Sequence, residues 1–243
     1  MQIENSIVLI TGAAMRVGRV VALELAKKGA IIAFSYYLEE EPWRETMEEI
    51  KGFCGKCLAI QTEIRSAADV QKLVQQTIDH FGRVDVLINN ASVWLKSPFL
   101  EITEDEWDLS LDVNLKGPFL ASQAVAPYML ESGQGVIINI TDLSAFQTWP
   151  GYAHHAASKA GLVALTKSLA VELAPKIRVN AIAPGTVLLP DAAAPEKIDW
   201  AVENSLLKRV GEPEDVSHLI AYLIQSDFTT GAVYFVDGGR SLV

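Results

Sequence analysis

Two stretches of the chain hold residue types at spacings that could do chemistry. In GYAHHAASKAG, residues 151–161, His155 and Lys159 stand four residues apart, so on a helix they share one face a single turn from each other. An imidazole is a competent general acid that titrates near 6.5 when unperturbed, and an ammonium one turn away would place a fixed positive charge beside it. The second stretch, TGAAMRVGR at 11–19, follows an apolar run and opens a helical one. Gly12 and Gly18 permit a tight turn whose backbone comes close to a ligand, and the helix start beyond it offers free N–H groups to a pyrophosphate. Arg16 in that turn could fork onto a phosphate or lie on an adenine ring. Such a turn is a weak signal alone, and its place between a first strand and an amphipathic helix gives it weight.

The elements that must position these residues alternate. Apolar β-branched runs recur at 6–10, 30–34, 57–60, 84–88, 135–140, 177–182 and 232–236, with helical stretches at 17–28, 42–52, 67–81, 104–131, 153–174 and 213–225. Near-continuous hydrophobic strands separated by helices predict a doubly wound, Rossmann-like α/β fold: a parallel sheet of seven strands with helices on both faces. The segment 186–200 is the one long irregular piece, and it is expected to be a lid over a ligand.

A length of 243 residues, half of them hydrophobic, suits one domain spanning 1–243. A net charge of −10 argues against nucleic acid and anionic membrane as partners, while leaving a small anionic cofactor open. Apolar runs are too short to span a membrane and the chain enters a strand at once, so a soluble, cytoplasmic protein is expected. Cys54 and Cys57 form a C-x-x-C in a helix-to-strand turn, with no second ligand pair to suggest a metal, and are read as structural. His80, His154 and His218 are also read as ordinary helix residues, His154 at the surface.

TGAAMRVG, NNAS at 89–92, VNLKG at 113–117, the SKAG ending at Gly161, RVNAIAPG at 178–185 and FVDGG at 235–239 resemble the short-chain dehydrogenase/reductases over essentially the whole chain. Three details resemble the pteridine reductase branch: Arg16 in the glycine-rich turn, NNAS ending in Ser92 in place of NNAG, and Asp142 in INITDLS. Asp142 lies thirteen residues before His155, where the common family pattern carries a serine and pteridine reductases an aspartate. Gly151 and Tyr152 match the start of the G-Y-x-x-Y run of that branch, but His155 stands where its second tyrosine, the family's proton donor, would be. Ser144 is two residues out of register to replace the missing serine.

The resemblance implies roles. Lys159 would bind the nicotinamide ribose and lower the pKa of the proton donor; Asn114 would hold a helix bend and a relay water. Asn89 and Ala91 would lie beside the adenosine ribose, and Pro184, Gly185 and Val187 beside the nicotinamide. Gly12, Arg16, Val17 and Gly18 would take the phosphates, Tyr36, Tyr37 and Glu63 the adenosine end, and Ser92, Trp94 and Tyr152 the substrate. If Asp142 reaches His155, the two could form a carboxylate–imidazole dyad able to protonate a pteridine-like ring nitrogen; an imidazole is shorter than a phenol, so the substrate would sit deeper or a water would bridge.

No aspartate ends the second strand, and with Arg16 this favours NADP(H), with NAD(H) possible given Glu39–Glu41. The expected activity is NAD(P)H-dependent reduction of a pteridine-like C=N or a carbonyl in a small-molecule substrate. Alternatives are a β-ketoacyl carrier-protein reductase, which needs a basic patch for its acidic carrier where Lys96 and Lys208 are scattered, and a cofactor-binding scaffold without turnover. A homo-oligomer, dimer or tetramer, is implied by resemblance, with the helices at 104–131 and 153–174 as its seam.

Overall fold

The computed structural model describes residues 1–189 and 193–243. Seven strands form one parallel sheet: β1 (Ile7–Ile10), β2 (Ile31–Tyr36), β3 (Cys57–Gln61), β4 (Val86–Asn89), β5 (Gly135–Ile140), β6 (Ile177–Pro184) and β7 (Val233–Val236). Their order across the sheet is β3-β2-β1-β4-β5-β6-β7. The apolar runs are continuous because each strand faces two helical layers. In β1, Val8 and Ile10 enter one core and Leu9 the other; in β4, Val86 and Ile88 divide from Leu87 in the same way.

One layer consists of α1 (Arg16–Lys27), α2 (Trp43–Cys54) and α8 (Pro213–Gln225), seating Leu25, Ile50 and Ile220 on the sheet. The opposite layer consists of α3 (Ala67–Phe81), α5 (Gly117–Ser132) and α6 (Ala153–Leu173), through Leu73, Val125 and Ala170. Ser66 caps α3 by accepting from the Asp69 N–H, and Gly82 ends it in the left-handed conformation, which explains why that helix is bounded as its sequence predicts.

Three expectations change. The single helix expected at 104–131 is α4 (Glu104–Leu111), a π-helical turn over Asp112–Lys116, and α5, so the bend expected at Asn114 is an inserted residue in the helical ladder. The segment 186–200 is not irregular throughout: Pro195 at the first turn starts α7 (Pro195–Glu203), while 190–192 lie outside the described residues. His154 is fully buried, not at the surface, because α6 packs against α4 as well as the sheet. Burial holds its pKa below the ordinary value against the charge of Glu106, and neither ring nitrogen has a partner.

β1 and β4 are adjacent while their following connections leave to opposite sides, so their carboxyl ends open a crevice at the switch point of the sheet. Among the described residues no helix is long and apolar enough to cross a membrane. No cluster of three or more metal-ligating side chains is found among them. Cys54 and Cys57 are unbonded, and burial pushes the Cys57 thiol up to about 12, far from thiolate chemistry.

Candidate active site

The crevice is a cleft of about 970 Å³ running from the β1–α1 turn across the strand ends to Gly185 and Val187. At its floor the two glycines are required by contact. Gly12 has φ +64°, and a Cβ there would lie 2.9 Å from Ala91 Cα; a Cβ on Gly18 would lie 2.5 Å from Asn90 Nδ2 and 2.6 Å from the Gly12 oxygen. Asn90 braces the turn, its Nδ2 donating to the carbonyls of Thr11 (3.0 Å) and Gly12 (2.8 Å). Thr11 Oγ1 in turn accepts from the Asn90 and Ala91 N–H groups.

Arg16 is exposed on the cleft and left-handed, with φ 55°, a conformation that favours glycine. A side chain there is strained by about 1 kcal/mol or more. Arg16→Gly is therefore expected to hold or raise the melting temperature, and to weaken the binding of an anionic dinucleotide in the cleft roughly tenfold if the guanidinium contacts its phosphates. A melt and a fluorescence titration of the same variant check both.

Tyr36, Tyr37 and Glu63 line the end of the cleft beyond β2 and β3 together with Val17, Glu40, Glu41 and Arg65. Glu41 Oε1 accepts from the backbone N–H groups of Tyr37 (3.0 Å) and Leu38 (2.8 Å). Arg65 forks onto Glu63 at 2.9 and 2.6 Å, and this pairing holds the Glu63 carboxyl below its ordinary pKa. Asn89 does not reach the cleft. It closes β4 with its side chain under the sheet, donating to Ser122 Oγ (3.2 Å) and Asn139 Oδ1 (2.8 Å), so the wall residue is Asn90.

On the far wall Asp142 follows β5, and Lys159 rises from α6 to donate to the Ile140 carbonyl at 3.0 Å. Burial lowers the Lys159 pKa, opposed by the charge of Asp142. Asp142 Oδ1 accepts from the N–H of Ser144 (2.7 Å) and from its hydroxyl, so Ser144 supports the aspartate. Oδ2 lies 2.6 Å from His155 Nε2. Burial alone would raise the Asp142 pKa, but the His155 hydrogen bond and the charge of Lys159 hold it below the ordinary carboxylate value.

A depressed carboxylate stabilises the fold above its unfolded pKa, near 3.9, and loses that contribution as pH falls through the lower folded value. The melting-temperature gap between wild type and Asp142→Asn should thus be full at pH 6 and shrink below about pH 4.

His155 itself is behind the wall. Its side chain is 0% exposed against 17% for Asp142, because the short imidazole ends beneath the Trp94 ring, 4.4 Å away between centroids. The expectation that histidine would face the substrate is corrected: the group presented to the cleft is the aspartate. Asn114, also behind the wall, fixes the ring's other edge. Its Oδ1 accepts from Val93 N–H and Ser92 Oγ, both at 2.9 Å, which orients its Nδ2 toward Val93 O, Ser158 Oγ and His155 Nδ1 (3.3 Å). That assigns His155 Nδ1 as acceptor and Nε2–H as the donor to Asp142. Tyr152, expected on the pocket wall, backs Trp94 instead, accepting from its Nε1 at 3.3 Å. Ser92 and Trp94 are on the wall as expected, as are Pro184, Gly185 and Val187. Thr11, Asn90 and Ser35, whose Oγ accepts from the Gly12 N–H at 3.1 Å, were not singled out in the sequence, since each acts through a contact distant in the chain.

The glycine floor, the α1 N-terminus and the length of the cleft fit a dinucleotide, and the fold and site together define a dinucleotide-binding oxidoreductase. Residues 12–241 match a family described as enoyl-(acyl carrier protein) reductase. The 3-oxoacyl-[acyl-carrier-protein] reductase FabG of Staphylococcus epidermidis is 37% identical over 240 residues, covering 97% of this chain and 98% of the relative. A short-chain dehydrogenase/reductase from Serratia marcescens superposes with a TM-score of 0.92 at 33% identity, covering 99% of this chain and all of that one. A 7α-hydroxysteroid dehydrogenase complexed with NADH and 7-oxo glycochenodeoxycholic acid matches with a TM-score of 0.92 at 29% identity, over 98% of this chain and 95% of that one. The chain belongs to the short-chain dehydrogenase/reductase family and is a short-chain oxidoreductase.

Proposed function

We propose that this enzyme reduces a pteridine-like ring C=N bond, with Asp142 and His155 acting together as the proton donor. The observation that carries the reading is the 2.6 Å contact between His155 Nε2 and an aspartate on the cleft wall. A bound nicotinamide dinucleotide would supply the hydride. Gly12, Arg16 and Gly18 would hold its phosphates, and Lys159 with Gly185 and Val187 its nicotinamide half.

The proton-loaded pair would hold one proton on Asp142 Oδ2 while that carboxyl still accepts from His155 Nε2–H. As hydride adds to the ring carbon, the proton passes from Asp142 Oδ2 to the ring nitrogen. The pair is left as carboxylate and neutral imidazole with its proton on Nε2, the tautomer that the Asn114 contact to Nδ1 matches. Trp94 beside the carboxylate offers a flat face to a flat ring, and an amidine edge of a pterin complements a carboxylate. Arg16 supports NADPH as the cofactor. Glu41, seated on the N–H groups after β2, favours NADH as the second reading, because its charge opposes a 2′-phosphate. We further read the described residues 186–189 and 193–200 as the cover of the cleft, and the protein as a cytoplasmic homo-oligomer.

The test is oxidation of NADPH and of NADH with dihydrobiopterin and, separately, with acetoacetyl thioester. Turnover of the pterin supports the proposal. Turnover of the thioester alone establishes the β-ketoacyl reading, which the similarity to FabG favours. Cofactor binding without turnover of either removes the pteridine assignment.

A further inference from the structure

We infer that the substrate of this cleft carries a carboxylate and that Arg240 receives it; the inference rests on the cleft beside Asp142 being the substrate site. Of the eight arginines in the chain, five form ion pairs: Arg19, Arg44, Arg65, Arg83 and Arg209. Arg178 is engaged by carbonyl oxygens of Leu223, Ile224 and Thr229, and Arg16 stands in the phosphate turn. Arg240 has neither use. Among the described residues no carboxylate lies within 4.0 Å of it, and its one side-chain hydrogen bond runs from Nη1 to Thr186 Oγ1 at 2.9 Å.

Its surroundings hold the guanidinium ready for a planar anion. Cζ lies over the rings of Trp149 (5.0 Å) and Trp200 of α7 (4.6 Å). Indoles on its faces leave the in-plane N–H groups as the available donors, the edge that forks onto a carboxylate. Arg240 is half-buried and none of its nitrogens is an enclosed orphan, so those donors remain reachable.

Arg240 lines a cavity of about 530 Å³ beside the cleft, and Val187 belongs to the walls of both. Trp149 stands 6.1 Å from Trp94, which covers His155, and the Asp142 charge acts on Arg240. A ring placed by Trp94 and Asp142 would extend a substituent along this aromatic wall toward Arg240. Asp237, whose charge also acts on Arg240, together with Asp142 disfavours a dianion there, so one carboxylate fits better than a phosphate.

Equilibrium binding of paired probes tests this: pterin-6-carboxylate against 6-hydroxymethylpterin, and benzoate against benzamide and phenyl phosphate. Wild type, Arg240→Met and Arg240→Lys are compared. The carboxylated member of each pair is expected to bind about tenfold tighter or more to wild type. Arg240→Met should erase that preference and Arg240→Lys keep part of it. Because the ratio is read within each variant, a loosened α7 does not mimic the result. Equal binding of the paired probes, absence of binding by all of them, a preference that survives Arg240→Met, or phenyl phosphate above benzoate would overturn the inference. Binding of benzoate over benzamide with no binding of either pterin leaves Arg240 standing and removes the pteridine reading instead.

Discussion

Asp142→Asn is expected to lower kcat by about two to four orders of magnitude, the usual weight of a positioned acid, while leaving the cofactor dissociation constant nearly unchanged. The amide preserves the shape of the side chain and can still accept from His155 Nε2–H, but it cannot carry a proton to the cleft. The loss should therefore fall on kcat rather than on KM. Single-turnover measurement with saturating cofactor separates the two. A structural role alone, through the contacts of Asp142 with Ser144, would instead lower the melting temperature and affect all parameters together.

Gly18→Val should abolish cofactor binding at accessible concentrations, a loss of about a hundredfold or more. A Cβ at this position meets the Gly12 carbonyl at 2.6 Å and Ala13 Cα at 2.9 Å, and backbone cannot give way as a flexible side chain does. It also meets Asn90 Nδ2 at 2.5 Å, and so breaks the brace that ties the turn to the end of β4. Overpacking of this kind destabilises by about 1–3 kcal/mol, so the variant should remain folded at room temperature with a lowered melting point. NADPH fluorescence titration beside a thermal melt reads both effects.

What could be read from the chain divides along physical lines. The strands were legible because a parallel sheet covered on both faces demands unbroken apolar runs, and the phosphate turn because glycine is the only residue its contacts allow. Lys159 and Asp142 were placed by the motifs around them. The errors fall where chain neighbours give no information. Asn89 and Asn90 are chemically identical, and only the alternation at the end of β4 decides which faces the cleft. His154 shares the buried face of α6 with Ser158 and Leu162, while Ala153, Ala157, Ala160 and Ala164 face outward, and alanines on the outer side give no polar contrast by which the sequence could tell the two faces apart. The covering of His155 depends on Trp94, sixty-one residues earlier in the chain, and no local pattern announces that contact. α7 had its signal in Pro195 followed by Glu196, obscured by the Ala/Pro-rich stretch before it.

In this arrangement Asp142 faces the cleft and His155, one layer behind it, donates to the carboxylate and holds it in place, which sets the proposed acid at a pair of residues. The most direct test is the rate of dihydrobiopterin reduction by wild type, His155→Ala, and His155→Ala with added imidazole. The account predicts turnover in wild type, a fall of about a hundredfold or more in the variant, and partial recovery as imidazole fills the space beneath Trp94. A His155→Ala enzyme as fast as wild type would show that the proton reaches the substrate by another route, and the Asp142–His155 pair would lose its role as the acid.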